Sequence, residues 1–277
     1  MTSYKGKLKE GWNTDAAGSK SYTSNIGDVS SGSNTRIVED HIINEYYLMD
    51  VYSGTGKYYN TDGTVNIKGG PKDGMIRTPE DMDWLKSMIA AGYQFMPNLT
   101  VVKNKIWYGD YIYADINGDG IYGNSYDKKF TNVSGSPKIV FGSQMNFSWK
   151  NFDLDLIWSG QAGAKIYWLE SGYNNPTALR VGWAVSKMLA KDHYYYNDTD
   201  TSDPLNNITS KTPRLKLNES DGQNTQASTR WLYNASYLRL KNLTLGYNFS
   251  QRIASKIHAE KLRIYFSAEN LLTITSL

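Results

Sequence analysis

Apolar and polar residues alternate along four long segments in the second half of the chain: 137–149, 152–163, 232–249 and 262–275. A period of two places successive side chains on opposite faces of a β-strand. Each segment therefore predicts a strand with one apolar and one polar face. All four are longer than the five or six residues that are common for strands, a length of roughly 17–20 Å.

The third segment contains an irregularity. Leu238 and Leu240 lie on the apolar side of the pattern, and the alternation then slips by one residue before it resumes at Leu243 and Leu245. The first two segments are separated only by Lys150–Asn151, which predicts a hairpin with a tight turn.

The connections between the strands are of two kinds. Those near 150 and at 250–261 are short, whereas 53–136 and 164–229 are very long. Outer-membrane barrels join their antiparallel strands in this way, with short periplasmic turns and long outer loops, and a strand needs about 9–11 residues to cross the hydrocarbon. We therefore expect an all-β fold, part of a large antiparallel transmembrane β-barrel, in which 53–136 and 164–229 are long extracellular loops.

Few regular elements are predicted outside these strands. Residues 1–35 are mostly loop, 42–52 predict a strand, and 178–191 predict a second helix. The clearest helix signal begins at Thr78, a good N-cap followed by proline and two acids, and ends near Gly92. Its apolar stripe consists of Trp84, Leu85, Met88 and Ile89. One or two short loop helices are therefore expected.

Composition supports a β-rich chain at a wet–dry boundary, with 22 Tyr, 8 Trp and 24 Gly. Positive and negative residues nearly balance, 30 against 27, without a concentrated basic stretch, so nucleic acid is not an expected partner. The three histidines are scattered, cysteine is absent, and no HExxH, GxSxG or P-loop motif occurs. We therefore predict no catalytic residues and no enzyme activity.

The stretch DINGDG has the spacing of a calcium loop. The candidate ligands are Asp115, Asn117, Asp119, the carbonyl of Ile121, and Asp127. Asp127 lies one residue beyond the position of the usual bidentate acid, and no helix is predicted on either side. The alternative is a turn in which these side chains bind the backbone of an outer loop. Ca²⁺ is thus the one cofactor that the sequence suggests.

Aromatic residues cluster in both predicted outer loops, in IWYGDYIY (106–113) and HYYYND (193–198). Tyrosine and tryptophan rings suit stacking on carbohydrate and contact with a partner protein. Trp107, Tyr194, Tyr195 and Tyr196 are therefore candidates for ligand or lid contact. The alternative is ordinary loop packing.

Four stretches together resemble one family. They are YADINGDGIYG (113–123), SPKIVFGSQMNFSWKNFDLDLIWSGQAGAKIY (136–167), RWLYNASYLRLKNLTLGYNFS (230–250) and LRIYFSAENLLTIT (262–275). In order and spacing they are similar to the C-terminal region of the SusC/RagA-type TonB-dependent outer-membrane transporters. The resemblance covers about residues 42–277.

The resemblance implies the late part of a 22-stranded barrel that an N-terminal plug fills, with the plug and the final strand outside this chain. It also implies the Gram-negative outer membrane, a SusD-like surface lipoprotein as lid, oligosaccharide or peptide cargo, and energy delivered by TonB through the missing N-terminal region. A few strands leave unpaired edges that lipid cannot satisfy. These residues alone are therefore expected neither to close a pore nor to transport.

A second hypothesis is a secreted glycan-binding β-sandwich whose aromatic loops form the binding surface. The two hypotheses differ in where the apolar faces lie: lipid covers them in a barrel, whereas a second sheet covers them in a sandwich. Dependence on detergent distinguishes the two.

Overall fold

A computed structural model describes residues 12–14, 20–22, 34–36, 41–170, 174–175, 184–217 and 222–276. The described residues form two compact units. Unit 1 contains 133–166 and 233–276, and unit 2 contains the described residues up to 132 together with those between 167 and 232.

Unit 1 is built on one antiparallel sheet. For numbering, the seven shorter strands that precede it in the chain are Trp12–Thr14 (β1), Lys20–Tyr22 (β2), Thr35–Arg36 (β3), Glu45–Met49 (β4), Gln94–Phe95 (β5), Ile121–Tyr122 (β6) and Lys128–Ser134 (β7). The long strands are Ile139–Trp149 (β8), Phe152–Ala162 (β9), Tyr237–Asn248 (β12) and Arg263–Thr275 (β13). They lie in the order β13-β12-β9-β8 and are 11 to 13 residues long. The four predicted long strands are confirmed.

The apolar side chains of this sheet share one face, because the register pairs Phe147 with Leu154, Leu154 with Leu245 and Leu245 with Phe266. That face is uncovered: Phe147 is 55% exposed and Phe266 is 60% exposed. A soluble β-sandwich buries such residues against a second sheet. The exposed face is therefore the opposite of what the β-sandwich hypothesis predicts.

The slip in the third alternating segment is a β-bulge. Leu240 pairs with Trp158 and Asn242 pairs with Ile157, so Lys241 is an extra residue relative to β9. An extra residue shifts the pleat by one position and returns Leu243 to the apolar face. On the other side of β12, Leu240 pairs with Leu272 and Asn242 pairs with Glu269, so the register with β13 also shifts at this level. Asn270, which lies within this shift, has a positive φ of 53°.

An ion pair on the polar face joins β13 and β9 across β12, the strand that lies between them. Arg263 on β13 bonds the carboxylate of Asp153 on β9, and Nδ2 of Asn248 donates to the same carboxylate at 2.9 Å. Gly246 lies beneath this pair, since a Cβ there would be 2.4 Å from Oδ2 of Asp153. Glycine thus leaves room for a side-chain bridge that joins three strands.

Unit 2 contains most of the two long connections and has little regular structure. Its helices are Pro79–Ala90 (α1) and Lys187–Lys191 (α2). Strands β3, β4 and β7 form a three-stranded sheet, β5 pairs in parallel with β6, and β1 pairs with β2. Two short strands, Lys165–Tyr167 (β10) and Leu232–Asn234 (β11), lie at the points where the chain passes between the units.

Helix α1 confirms the strongest helix prediction. Thr78 caps it and forms a capping box with Asp81, and the apolar stripe faces the interior. The stripe contributes to a core of ten buried residues: Tyr52, Ile76, Met82, Trp84, Leu85, Met88, Phe95, Ile106, Ile112 and Tyr122. The long connections thus fold around a core of their own.

Two predictions need correction. The second helix was predicted over 178–191, but Ser186 caps it and it begins at Lys187, while 178–183 lie outside the described residues. No helix was predicted beside DINGDG, yet a single 3₁₀ turn, Ser125–Asp127, follows it, capped by Asn124. Among the described residues, no helix is long and apolar enough to cross a membrane.

Candidate functional site

The DINGDG loop closes on its own backbone. Oδ1 of Asp115 accepts the N–H of Gly118 at 2.6 Å, and Oδ2 accepts the N–H of Gly120 at 2.9 Å. Asp119 accepts the N–H of Ile121 at 2.8 Å and the side-chain amide of Asn117 at 2.9 Å. These are the bonds of the turn that the sequence offered as the alternative to a calcium site.

Asp127 joins the two ends of this loop. Its carboxylate is buried and accepts the N–H groups of Ile116 at 2.7 Å, Gly123 at 2.8 Å and Asn124 at 3.0 Å. Burial raises the pKa of Asp127 to about 6, and the N–H donors oppose that shift. In the described part of the chain, no three His, Cys or acidic residues are grouped closely enough to hold a metal ion. Calcium binding stays a prediction.

The aromatic clusters of the two long connections meet in unit 2. The rings of Trp107 and Tyr108 lie 5.5 Å apart, and those of Tyr108 and Tyr196 lie 4.9 Å apart, both edge-on. They border an open depression of about 240 Å³, to which Lys103 and Asp198 also contribute. The sequence predicted the two clusters separately, and the structure brings them together.

Tyr194 differs from its neighbours. Its side chain is 1% exposed, packs among Met49, Met75 and Tyr111, and donates its hydroxyl to the carbonyl of Arg77 at 2.6 Å. Burial raises its pKa, so the hydroxyl stays a donor. A ring that is this deeply buried offers little surface to a ligand. Its position corresponds to the alternative of ordinary loop packing, whereas Tyr195, Tyr196 and Trp107 remain accessible.

His193 lies beside a second depression of about 620 Å³, which Tyr195, Leu205 and Asn207 also line. Its Nδ1 lies 2.8 Å from the carbonyl of Leu189, which can only accept, so the proton is on Nδ1. The sequence gave no reason to single out His193, because a lone histidine carries no motif.

A buried carboxylate joins the two long connections, and sequence reasoning missed it. Asp110 is fully buried and accepts from Nε of Arg214 at 2.8 Å and from Nη2 at 2.7 Å. Lys216 lies 3.3 Å from it, and the side-chain amide of Asn224 donates to it at 2.8 Å. These partners are about a hundred residues away along the chain, so no local pattern could have revealed them.

Comparison with known proteins gives a sequence relationship. No family model matches the chain. The TonB-dependent receptor P3 of Formosa agariphila is 28% identical over 167 residues, which cover 60% of this chain. Over this region the chain is therefore similar in sequence to a TonB-dependent receptor. TonB-dependent receptor P26 of the same organism is 24% identical over 165 residues, or 58% of this chain.

The chain spans only 15% and 14% of the lengths of these two TonB-dependent receptors. Among solved structures, the RagAB peptide importer in its open-open state is 26% identical, with a TM-score of 0.40, over 61% of this chain and 17% of that one. The RagAB peptide transporter is 18% identical, with a TM-score of 0.49, over 94% of this chain and 22% of the other.

Proposed function

We propose that this chain contributes four adjacent strands and two outer loops to an active transporter in the outer membrane of a Gram-negative bacterium. The transporter is of the SusC/RagA type. It imports oligosaccharide or peptide fragments with a SusD-like surface lipoprotein, and TonB energises it through a region outside this chain. The chain itself performs no catalysis.

The observation that carries this proposal is the uncovered apolar face of the long-stranded sheet. Strands of 11 to 13 residues match the length needed to cross hydrocarbon at a tilt, and their outer side chains are apolar. Leaving this face in water would be unfavourable by roughly 25 cal/mol per Å² of apolar surface. Lipid is the environment that removes this penalty without a second sheet.

The role of unit 2 rests on the aromatic depression. Burial, and next the phenol of Tyr196, raise the pKa of Tyr108, so the Tyr108 phenol stays neutral and can donate a hydrogen bond. Flat rings with polar edges, flanked by Lys103 and Asp198, suit a sugar or a short peptide and equally a protein lid. We place ligand or lid contact at Trp107, Tyr195 and Tyr196.

Spin labels test the membrane placement. The chain contains no cysteine, so one introduced cysteine is its only thiol. Labels at Leu238, Asn242, Leu243, Thr244 and Leu245 are introduced one at a time in the complete protein in lipid vesicles, with any cysteine outside this chain replaced by serine. We expect molecular oxygen, which concentrates in lipid, to reach the leucine positions and not the polar ones.

The bulge makes this pattern specific. Lipid contact should occur at 238 and 243, five positions apart, whereas a regular strand would place residues with an odd spacing on opposite faces. A label at Lys86, on the solvent side of α1, is the control and should respond only to a water-soluble relaxant. Uniform low oxygen accessibility at all five strand positions would contradict the proposal.

A further inference from the structure

The short link between β12 and β13 has an unusual surface. It folds into one helical turn, Gln251–Ala254 (α3), followed by the 3₁₀ turn Ser255–Ile257. Ile253 is 44% exposed and Ile257 is 60% exposed. Residues four apart on a helical turn lie on the same side, so the two isoleucines form a small apolar knob at the end of the sheet.

Positive charge surrounds this knob. Arg252, Lys256 and Lys261 belong to the same link and are all exposed, against a single acid, Glu260. Within the ranges that the structure describes, none of these three cations forms an ion pair. The link therefore carries an unneutralised cationic surface next to exposed apolar side chains.

The neighbouring turn has the same character. The N–H of Asn248 donates to the carbonyl of Asn151 at 2.8 Å, so the Lys150–Asn151 turn and the link lie at one end of the sheet. Nζ of Lys150 lies 4.6 Å from the ring centre of Trp149. The rings of Phe152 and Tyr247 are 4.7 Å apart, and those of Tyr247 and Phe249 are 4.8 Å apart.

Aromatic rings, long cationic side chains and isolated apolar residues occur together where a protein crosses the boundary between hydrocarbon and headgroups. Aromatic rings sit at headgroup level, and lysine and arginine extend their charge towards phosphate. The charge at this end is positive and unpaired, so its natural complement is an anionic headgroup rather than a neutral one.

We propose that the link 250–261, together with Lys150, binds the headgroups of anionic phospholipid in the leaflet at the short-turn end, while Ile253 and Ile257 enter the acyl boundary. This inference rests on the proposed function, because it requires the sheet to lie in a membrane. It adds a specific lipid partner and a binding surface at the short-turn end of the sheet.

Lipid retention tests the inference. The complete protein is reconstituted in vesicles of equal parts phosphatidylglycerol and phosphatidylcholine and extracted, and the lipids that remain bound are counted by native mass spectrometry. The variant replaces the cations of the link: Arg252→Gln, Lys256→Gln and Lys261→Gln. The matched control replaces three exposed lysines of unit 2 whose side chains form no hydrogen bond or ion pair within the described ranges: Lys57→Gln, Lys86→Gln and Lys187→Gln.

The wild-type protein and the control should retain phosphatidylglycerol in excess. The variant should lower the ratio of retained phosphatidylglycerol to phosphatidylcholine by about tenfold or more, since each cation near an anionic surface contributes about 1 kcal/mol. The preference should also weaken at high salt, which screens exposed charges. An unchanged ratio in the variant overturns the inference.

A second variant tests the apolar half independently. A spin label at Ser255 should report headgroup depth in the wild-type protein and move towards water in Ile253→Asn with Ile257→Asn. A label that is already in water in the wild-type protein overturns the inference. The oxygen pattern along β12 decides separately whether the sheet lies in lipid, so loss of the lipid preference alone leaves the proposed function intact.

Discussion

Asp127 shows how a single carboxylate can make the stability of a loop depend on pH. Its native pKa of about 6 is above the value of about 3.9 expected in the unfolded chain. The folded state therefore keeps a proton that the unfolded state has lost. We expect Asp127 to lower the free energy of unfolding of unit 2 as the pH rises from about 4 to about 6, by at most about 3 kcal/mol.

Denaturant midpoints measured at several pH values in the complete protein test this dependence of stability on pH. Asp127→Asn should reduce it, with a remainder from Asp81, whose pKa burial also raises, whereas Asp62→Asn, which removes an exposed acid of lowered pKa, should not reduce it. Ca²⁺ binds the ionised carboxylate, so a calcium loop would gain stability with added Ca²⁺ near neutral pH. No effect of Ca²⁺ on the midpoint would leave the loop as a backbone-bonded turn.

Arg214 is the residue whose loss should most weaken the connection between the two long loops. Arg214→Ala leaves the buried carboxylate of Asp110 with Lys216 as its remaining cation. Removing one partner of a buried pair typically destabilises by about 3–5 kcal/mol. We expect a loss of about 3 kcal/mol, seen as faster hydrogen exchange in 98–113, 213–217 and 222–224.

The exposed pair of Arg77 and Asp73 is the control, because half of the Asp73 side chain is accessible. Asp73→Ala should change stability by no more than about 1 kcal/mol. Equal effects of the two substitutions would show that Asp110 is not a structural link.

Candidate site residues could be predicted only where they occur in a local pattern. The spacing of DINGDG indicated its turn, and runs of aromatic residues indicated Tyr195, Tyr196 and Trp107. Tyr194 stands in the same run as Tyr195 but is buried, and no property of the run distinguishes the two. Asp110 and His193 depend on partners that only the folded chain brings close.

At the level of elements, the bulge in β12 gives a sharp test of register. Deleting Lys241 restores one-to-one pairing with β9 and keeps Leu240 and Leu243 on the apolar face. Deleting Thr244 instead moves Leu245 and Tyr247 to the polar face. We expect the first variant to reach the outer membrane and the second to be degraded, as quantified by immunoblot of outer-membrane fractions.

Regular elements were predictable because their signals are local. Period-two alternation located the four long strands, within two residues except that the third starts at Tyr237 rather than 232, and Thr78 marked the start of α1. The core of the long connections was not predicted. Met75, Ile106 and Ile112 lie in stretches without periodicity, and their burial results from packing between distant segments.

For the whole molecule, the open edges of the sheet limit what these residues can do alone. Strands β8 and β13 each have one partner within the sheet, so each presents an unpaired backbone edge. Hydrocarbon cannot satisfy such an edge. Planar bilayers with the 277-residue chain alone should show no single-channel conductance, and stable unitary steps would contradict this prediction.

The paired irregularities at Lys241 and Asn270 lie at one level on neighbouring strands. Bulged strands bend and twist more strongly than regular ones. We therefore expect β12 and β13 to bend at this level, so that the parts of the two strands on either side of it differ in inclination. If the sheet continues beyond β13 into a barrel, the curvature of the barrel would change at this level. The width of the lumen would change there as well.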